Sequence, residues 1–245
     1  MKHILLLKAG EAAAPIRLAA GDYDAWFARA LGREGLRFTV VRTSLGERPP
    51  RRAREFDAVM MTGSPLSATL PSEWMRRAAN YLVEAGEQQV PVLGVCFGLQ
   101  LLALGLGGQV VRNPRGREIG TVEVQLSPEG RRDPLFQGLP RSVAVQTTHE
   151  DIVPSAPEGS TVLASNACCE VQALRVGRYL RAVQFHPELD AAAMGAVVSA
   201  RAGALANEAE ARGERGTDAV PTLFAGLRHT PAGPLILRNF IRHWT

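Results

Sequence analysis

Val92-Leu93-Gly94-Val95-Cys96-Phe97-Gly98-Leu99-Gln100-Leu101-Leu102 sets a thiol between two glycines where an apolar strand gives way to an apolar helix. A buried strand needs no glycine on each side of a small side chain. A sharp strand–turn–helix does, because neighbouring side chains would collide there. Such a turn also places the thiol at a helix start, where free N–H groups and the helix dipole favour negative charge. A free cysteine more commonly only fills space in a core. The Gly-x-Cys-x-Gly frame at a strand end argues instead for an exposed nucleophile.

Upstream of this segment, strands and helices alternate. Ile4 to Leu7, Phe38 to Val41, Ala58 to Met61 and Pro91 to Val95 read as short apolar strands. Asp22 can cap a helix whose apolar face carries Trp26, Phe27, Ala30 and Leu31. Ser72 can cap a second helix through about Ala85, and the helix after Cys96 runs to about Gly105. Continuous apolar strands separated by helices predict an α/β fold, a doubly wound, mostly parallel, flavodoxin-like sheet with helices on both faces. Ligands of such sheets bind at the carboxyl ends of the strands.

Beyond Gly116 the pattern changes to period two. Thr121 to Leu126, Ser142 to Val145, Val171 to Leu174 and Leu180 to Phe185 read as strands, which adds an antiparallel segment. A helix is expected from about Ala191 to Ala209, a mobile loop over Gly213 to Asp218, and a closing helix from about Pro234 to Trp244. No repeat or composition break divides the chain, so residues 1–245 read as one domain.

Bulk properties bound the function. The 245 residues are 46% hydrophobic and carry a formal charge of +4. Arg48, Arg51, Arg52 and Arg54 form the densest basic cluster, beside Pro49 and Pro50 and without interleaved aromatics. It reads as a solvated loop, so no nucleic-acid partner is expected. No run of about 18 apolar residues is present, which predicts no membrane span. Met1 to Leu7 is too short for a signal peptide and reads as the first strand. Three cysteines, two of them adjacent at Cys168 and Cys169, make no disulfide framework and point to a reducing, cytoplasmic setting. The adjacent pair suits neither zinc nor a strain-free bridge, and reads as strand packing or surface. With no P-loop and no Gly-x-Gly-x-x-Gly, no metal or cofactor is expected.

A cysteine nucleophile needs a base and a group to orient that base. His186 ends an apolar strand in Val183-Gln184-Phe185-His186-Pro187-Glu188. Glu188, two residues on, points the same way along an extended segment and can hold one ring nitrogen while the other faces the thiol. Acyl transfer also needs two aimed donors for the developing oxyanion, each worth roughly 3 kcal/mol. The N–H of Phe97 supplies one, and the turn Met60-Met61-Thr62-Gly63-Ser64-Pro65 is the candidate for the other.

Together, Gly94 to Gln100 and Phe185-His186-Pro187-Glu188 resemble the class I glutamine amidotransferases, with Gly63-Ser64-Pro65 where that family has its oxyanion-strand loop. Within that family the chain is similar to free-standing proteins related to the amidotransferase domain of GMP synthase; the stretches 113–120 and 147–151 match that group's style. The resemblance implies that Cys96 attacks a γ-glutamyl amide and forms a glutamyl thioester, while His186 shuttles the proton and Glu188 orients it. Ser64 and Phe97 would form the oxyanion hole, and Gly63, Gln100, Thr148 and His149 would contact the substrate. Ser64 and Glu150 stand where glycine is usual, which narrows the room near the substrate's backbone end. The expected partner is glutamine or another γ-glutamyl small molecule, and the ammonia could pass to a separately encoded synthetase. A free-standing γ-glutamyl peptide or amide hydrolase or transferase is the alternative, and a non-catalytic binding module the third reading. An α/β-hydrolase is disfavoured because its acid would lie between cysteine and histidine.

Overall fold

A computed structural model describes residues 1–32 and 34–245. Five parallel strands form one half of a nine-stranded sheet: β1 (Lys2–Lys8), β2 (Leu36–Arg42), β3 (Ala58–Met61), β4 (Val92–Val95) and β11 (Leu180–Val183). Antiparallel β6 (Glu118–Leu126), β7 (Ser142–His149), β9 (Ser160–Ser165) and β10 (Ala173–Val176) complete it. The order is β2-β1-β3-β4-β11-β10-β9-β6-β7, and a small ribbon pairs β5 (Val111–Arg112) with β8 (Asp151–Ile152). The expected parallel sheet with an antiparallel addition is therefore present.

Both faces of the interior strands β1, β3 and β4 are covered, which is why their buried stretches are apolar without alternation, whereas the edge strand β2 stays partly exposed. Leu5 and Leu7 of β1 pack with Val59, Met61 and the helices α3 (Glu73–Glu87) and α4 (Phe97–Gly105). Ile4 and Leu6 face the other way, onto Met60, Leu93, α2 (Tyr23–Leu31) and α8 (Ala232–Trp244). A third cluster joins α1 (Ala14–Ala20) and α2 to α5 (Ala191–Ala200) and α6 (Ala202–Ala211) through Ile16, Trp26, Leu189, Met194 and Leu205. That cluster borders the carboxyl end of the parallel strands.

Several local expectations are revised. The helix expected over 191–209 is two helices, broken at Arg201, whose φ of −104° and ψ of 8° end α5. The loop expected at 213–218 gives way to α7 (Gly216–Gly226), which contains Pro221 and covers β6. Gly216 admits it because an added Cβ would stand 2.8 Å from the Ala206 carbonyl oxygen. Val171 and Gln172 precede β10 rather than belonging to it, and Cys168 and Cys169 lie in the preceding loop, Cys169 buried. Arg48, Arg51, Arg52 and Arg54 lie outside the sheet, on the loop between β2 and β3. Among the described residues no helix is long and apolar enough to cross a membrane.

Candidate active site

Cys96 occupies the step from β4 into α4 with φ 52° and ψ −101°, a left-handed backbone that a non-glycine residue rarely adopts. The flanking glycines make the step possible. A Cβ on Gly94 would lie 2.5 Å from the Gly98 carbonyl oxygen, and one on Gly98 would lie 2.7 Å from that of Met61. The Cys96 N–H donates to the Val183 carbonyl at 2.7 Å, so Cys96 hangs from the neighbouring strand β11.

That strand leads into His186. The His186 N–H donates to the Gln146 carbonyl of β7 at 2.8 Å, an isolated bridge just past the end of β11. His186 Nδ1 and Glu188 Oε1 are 2.7 Å apart, and both side chains are fully enclosed. The contact expected along an extended segment forms across a turn at Pro187 and Glu188 instead. His186 Nε2 is buried without a hydrogen-bond partner. Burial by itself lowers the imidazole pKa, but the charge of Glu188 and the nearby Cys96 sulfur outweigh it and hold the pKa up at about 10. At neutral pH the ring therefore carries its proton.

Gly63 gives this ring its place. An added Cβ there would lie 2.6 Å from His186 Cε1 and 3.2 Å from Tyr23 Cε1. Its role in the structure is thus to let two rings approach the backbone, and it does not line the cavities beside Cys96. Ser64 Oγ donates to the Ala9 carbonyl at 3.0 Å and accepts from the Leu66 N–H, so its side chain is tied to the loop after β1. Phe97 opens α4, with its ring stacked on Trp74.

A narrow cavity of about 90 Å³ is lined by Ser64, Cys96, Gln100, Thr148, His149 and Glu150, among others. Most of these polar groups are already engaged. Gln100 Nε2 donates to the Asp151 carbonyl at 2.9 Å, and His149 Nε2 lies 2.8 Å from Glu118. Burial would raise the Glu118 carboxyl, but hydrogen bonds from His149, Asn166 and Gln172 hold it below its ordinary range. Glu150 pairs with Arg117, which also holds Glu208 at 3.0 Å. Thr148 Oγ1 is buried and unpaired.

Three residues beside the thiol escaped the sequence reading. Gln184 is fully buried, and its Nε2 donates to Cys96 Sγ at 3.5 Å. It precedes His186 by two positions, the same spacing that singled out Glu188, so the alternation carried a signal. Tyr23 packs against Gly63, and burial pushes its hydroxyl pKa strongly upward. Arg201 stands at the break between α5 and α6 with its Nε buried and unpaired. No local motif marks either of these two. Among the described residues no three His, Cys, Asp or Glu side chains gather to hold a metal ion.

The chain matches the family described as glutamine amidotransferase class-I over residues 20–202. It is 27% identical over 177 residues to gamma-glutamyl peptidase 3 of Arabidopsis thaliana, covering 71% of each protein. To a glutamine-hydrolyzing GMP synthase subunit of Saccharolobus solfataricus it is 36% identical over 143 residues, 58% of this chain and 72% of that one. Among solved structures, the glutamine amido transferase from Methylobacillus Flagellatus superposes with a TM-score of 0.78 at 23% identity, covering 100% of this chain and 96% of its own. A glutamine amidotransferase from Thermotoga maritima gives 0.74 at 21% identity, with 99% and 97% covered. At these identities the two structures speak for the fold.

Proposed function

Because the chain belongs to the class I glutamine amidotransferase family, we propose that it hydrolyses a γ-glutamyl amide through a Cys96–His186–Glu188 triad and a glutamyl thioester. The observation that carries this reading is the buried His186–Glu188 contact at 2.7 Å, with the other ring nitrogen unpaired, beside a cysteine at φ 52°. Nucleophile, base and orienting acid are then in one place.

The Cys96 sulfur, as a thiolate beside the protonated His186, attacks the γ-carbonyl carbon, and the oxygen that becomes negative is met by the N–H of Phe97 and by the turn at Ser64. His186, already protonated, gives its proton to the departing nitrogen, and the carbon–nitrogen bond breaks. The amine or ammonia leaves and the acyl group stays on sulfur. Water then adds to the thioester, giving a proton to His186, and collapse returns the sulfur and releases glutamate. Glu188 keeps the ring in position and stabilises its charge throughout. Gln100, Thr148 and His149 border the acyl half.

Glutamine is the simplest substrate of this class. The relatives named as GMP synthase subunits support delivery of ammonia to a separately encoded synthetase, and those named gamma-glutamyl peptidase support hydrolysis of a γ-glutamyl peptide. The test is to incubate the protein with glutamine and a panel of γ-glutamyl amides while ammonia, amine and glutamate are followed. Release that is abolished in Cys96→Ala is the expected result. Release that survives in Cys96→Ala would overturn the mechanism.

A further inference from the structure

We propose that the substrate is a γ-glutamyl dipeptide whose second residue has an apolar side chain, and that Arg201 holds the free carboxylate of that residue. This rests on the hydrolase reading above and specifies its leaving group.

Two cavities meet at the triad. The narrow one, about 90 Å³, is lined by Cys96, Gln100 and Asp151. The second holds about 270 Å³ and is lined by Ile16, Tyr23, Trp26, His186, Leu189 and Val197. Pro65, Thr148 and Arg201 border both. The chemistry assigns the two sides. The acyl half is bonded to the Cys96 sulfur and belongs in the cavity that Cys96 lines. The departing nitrogen takes its proton from His186 and belongs in the cavity that His186 lines.

Ammonia has no use for that second space. A water-sized molecule occupies on the order of 30 Å³, whereas the cavity offers about 270 Å³ behind an apolar wall. Ile16, Trp26, Leu189 and Val197 fit an aliphatic or aromatic substituent on the nitrogen.

Arg201 brings a guanidinium charge to the border of this apolar cavity. Its Nε is buried with no hydrogen-bond partner, and among the described residues it makes no ion pair. Burial and the neighbouring Arg117 lower its pKa, and the opposing influences of Tyr23, Glu150 and Cys96 do not offset them. Arg117, on the same narrow cavity, is already shared between Glu150 and Glu208. Of the two guanidinium groups, only that of Arg201 is open to a carboxylate from outside, and its planar donors match one bidentately. An amino acid released from a γ-glutamyl dipeptide has both features at once, an apolar side chain and a carboxylate.

The experiment compares γ-glutamyl-leucine, γ-glutamyl-isoamylamide and glutamine. The isoamylamide keeps the branched apolar chain and lacks only the carboxylate. The wild-type protein is expected to show kcat/KM at least tenfold higher for γ-glutamyl-leucine than for glutamine. Arg201→Gln is expected to lower the value for γ-glutamyl-leucine at least tenfold more than for the isoamylamide. Binding to Cys96→Ala, measured by calorimetry, reads the cavity without turnover; adding Ala200→Phe, which fills the exposed rim, should weaken γ-glutamyl-leucine more than glutamine. Equal losses on all three substrates in Arg201→Gln, or tighter binding of glutamine than of γ-glutamyl-leucine by Cys96→Ala, would overturn the proposal. A wild-type protein that cleaves none of the three defeats the hydrolase reading instead, and calorimetry still judges the cavity.

Discussion

Cys96 and His186 are each held in a state that an isolated residue would avoid. The left-handed backbone at Cys96 (φ 52°) stores strain of about 1–3 kcal/mol. Glycine relieves such strain and alanine does not, since alanine keeps the Cβ. Cys96→Gly should therefore be more stable than Cys96→Ala by about 1–3 kcal/mol in chemical denaturation, with both inactive. The imidazole of His186 carries its proton up to about pH 10, because Glu188 and Cys96 outweigh the effect of burial. The deprotonated ring has nothing to give the departing nitrogen, so kcat/KM should fall as pH rises through about 10. Glu188→Gln removes the largest influence holding that value up. The alkaline limb should move down toward the ordinary 6.5, and the rate at neutral pH should drop by roughly 10²–10⁴-fold. A pH–rate profile for the two proteins checks both.

At the scale of elements, close approach of backbone to backbone builds the site. α4 lies so near β3 that a Cβ on Gly98 would meet both the carbonyl oxygen of Met61, at 2.7 Å, and its Cβ, at 3.1 Å. Neither atom can swing aside. Gly98→Ala should cost about 1–3 kcal/mol of stability. It should also lower kcat, because the displaced helix carries the Phe97 N–H; denaturation and steady-state kinetics on one sample test this. Elements with a strong local signature were legible in the sequence: the apolar strands β1, β3 and β4, the glycine-framed turn, and the His-Pro-Glu motif. Elements set by distant packing were not. The break at Arg201 lies in an alanine-rich run whose helical pattern continues across it, and Pro221 disguised α7. In β9, Ser160–Ser165, only Leu163 and Ala164 are buried, too little apolar sequence to stand out. Arg201 was unreadable for the same reason, since its surroundings come from other parts of the chain.

Over the whole molecule, the proposed triad of Cys96, His186 and Glu188 sits at the seam between the two kinds of sheet. β4 and β11 are the last parallel pair, β10 begins the antiparallel run, and the turn carrying His186 touches β7 at the far edge through Gln146. This seam has a consequence for how the protein fails. The amides of Cys96, Gln184 and His186 donate to Val183, Gln172 and Gln146 at 2.7, 2.8 and 2.8 Å, so each exchanges with solvent only when these bonds along the sheet's seam open. They should rank among the slowest-exchanging amides in a native-state deuterium experiment. Loss of activity in rising urea should follow the global unfolding curve, with no earlier stage in which a folded but inert protein accumulates. Cys96 and His186 thus belong to one cooperative unit, and the protein would lose the proposed chemistry and its fold in the same event.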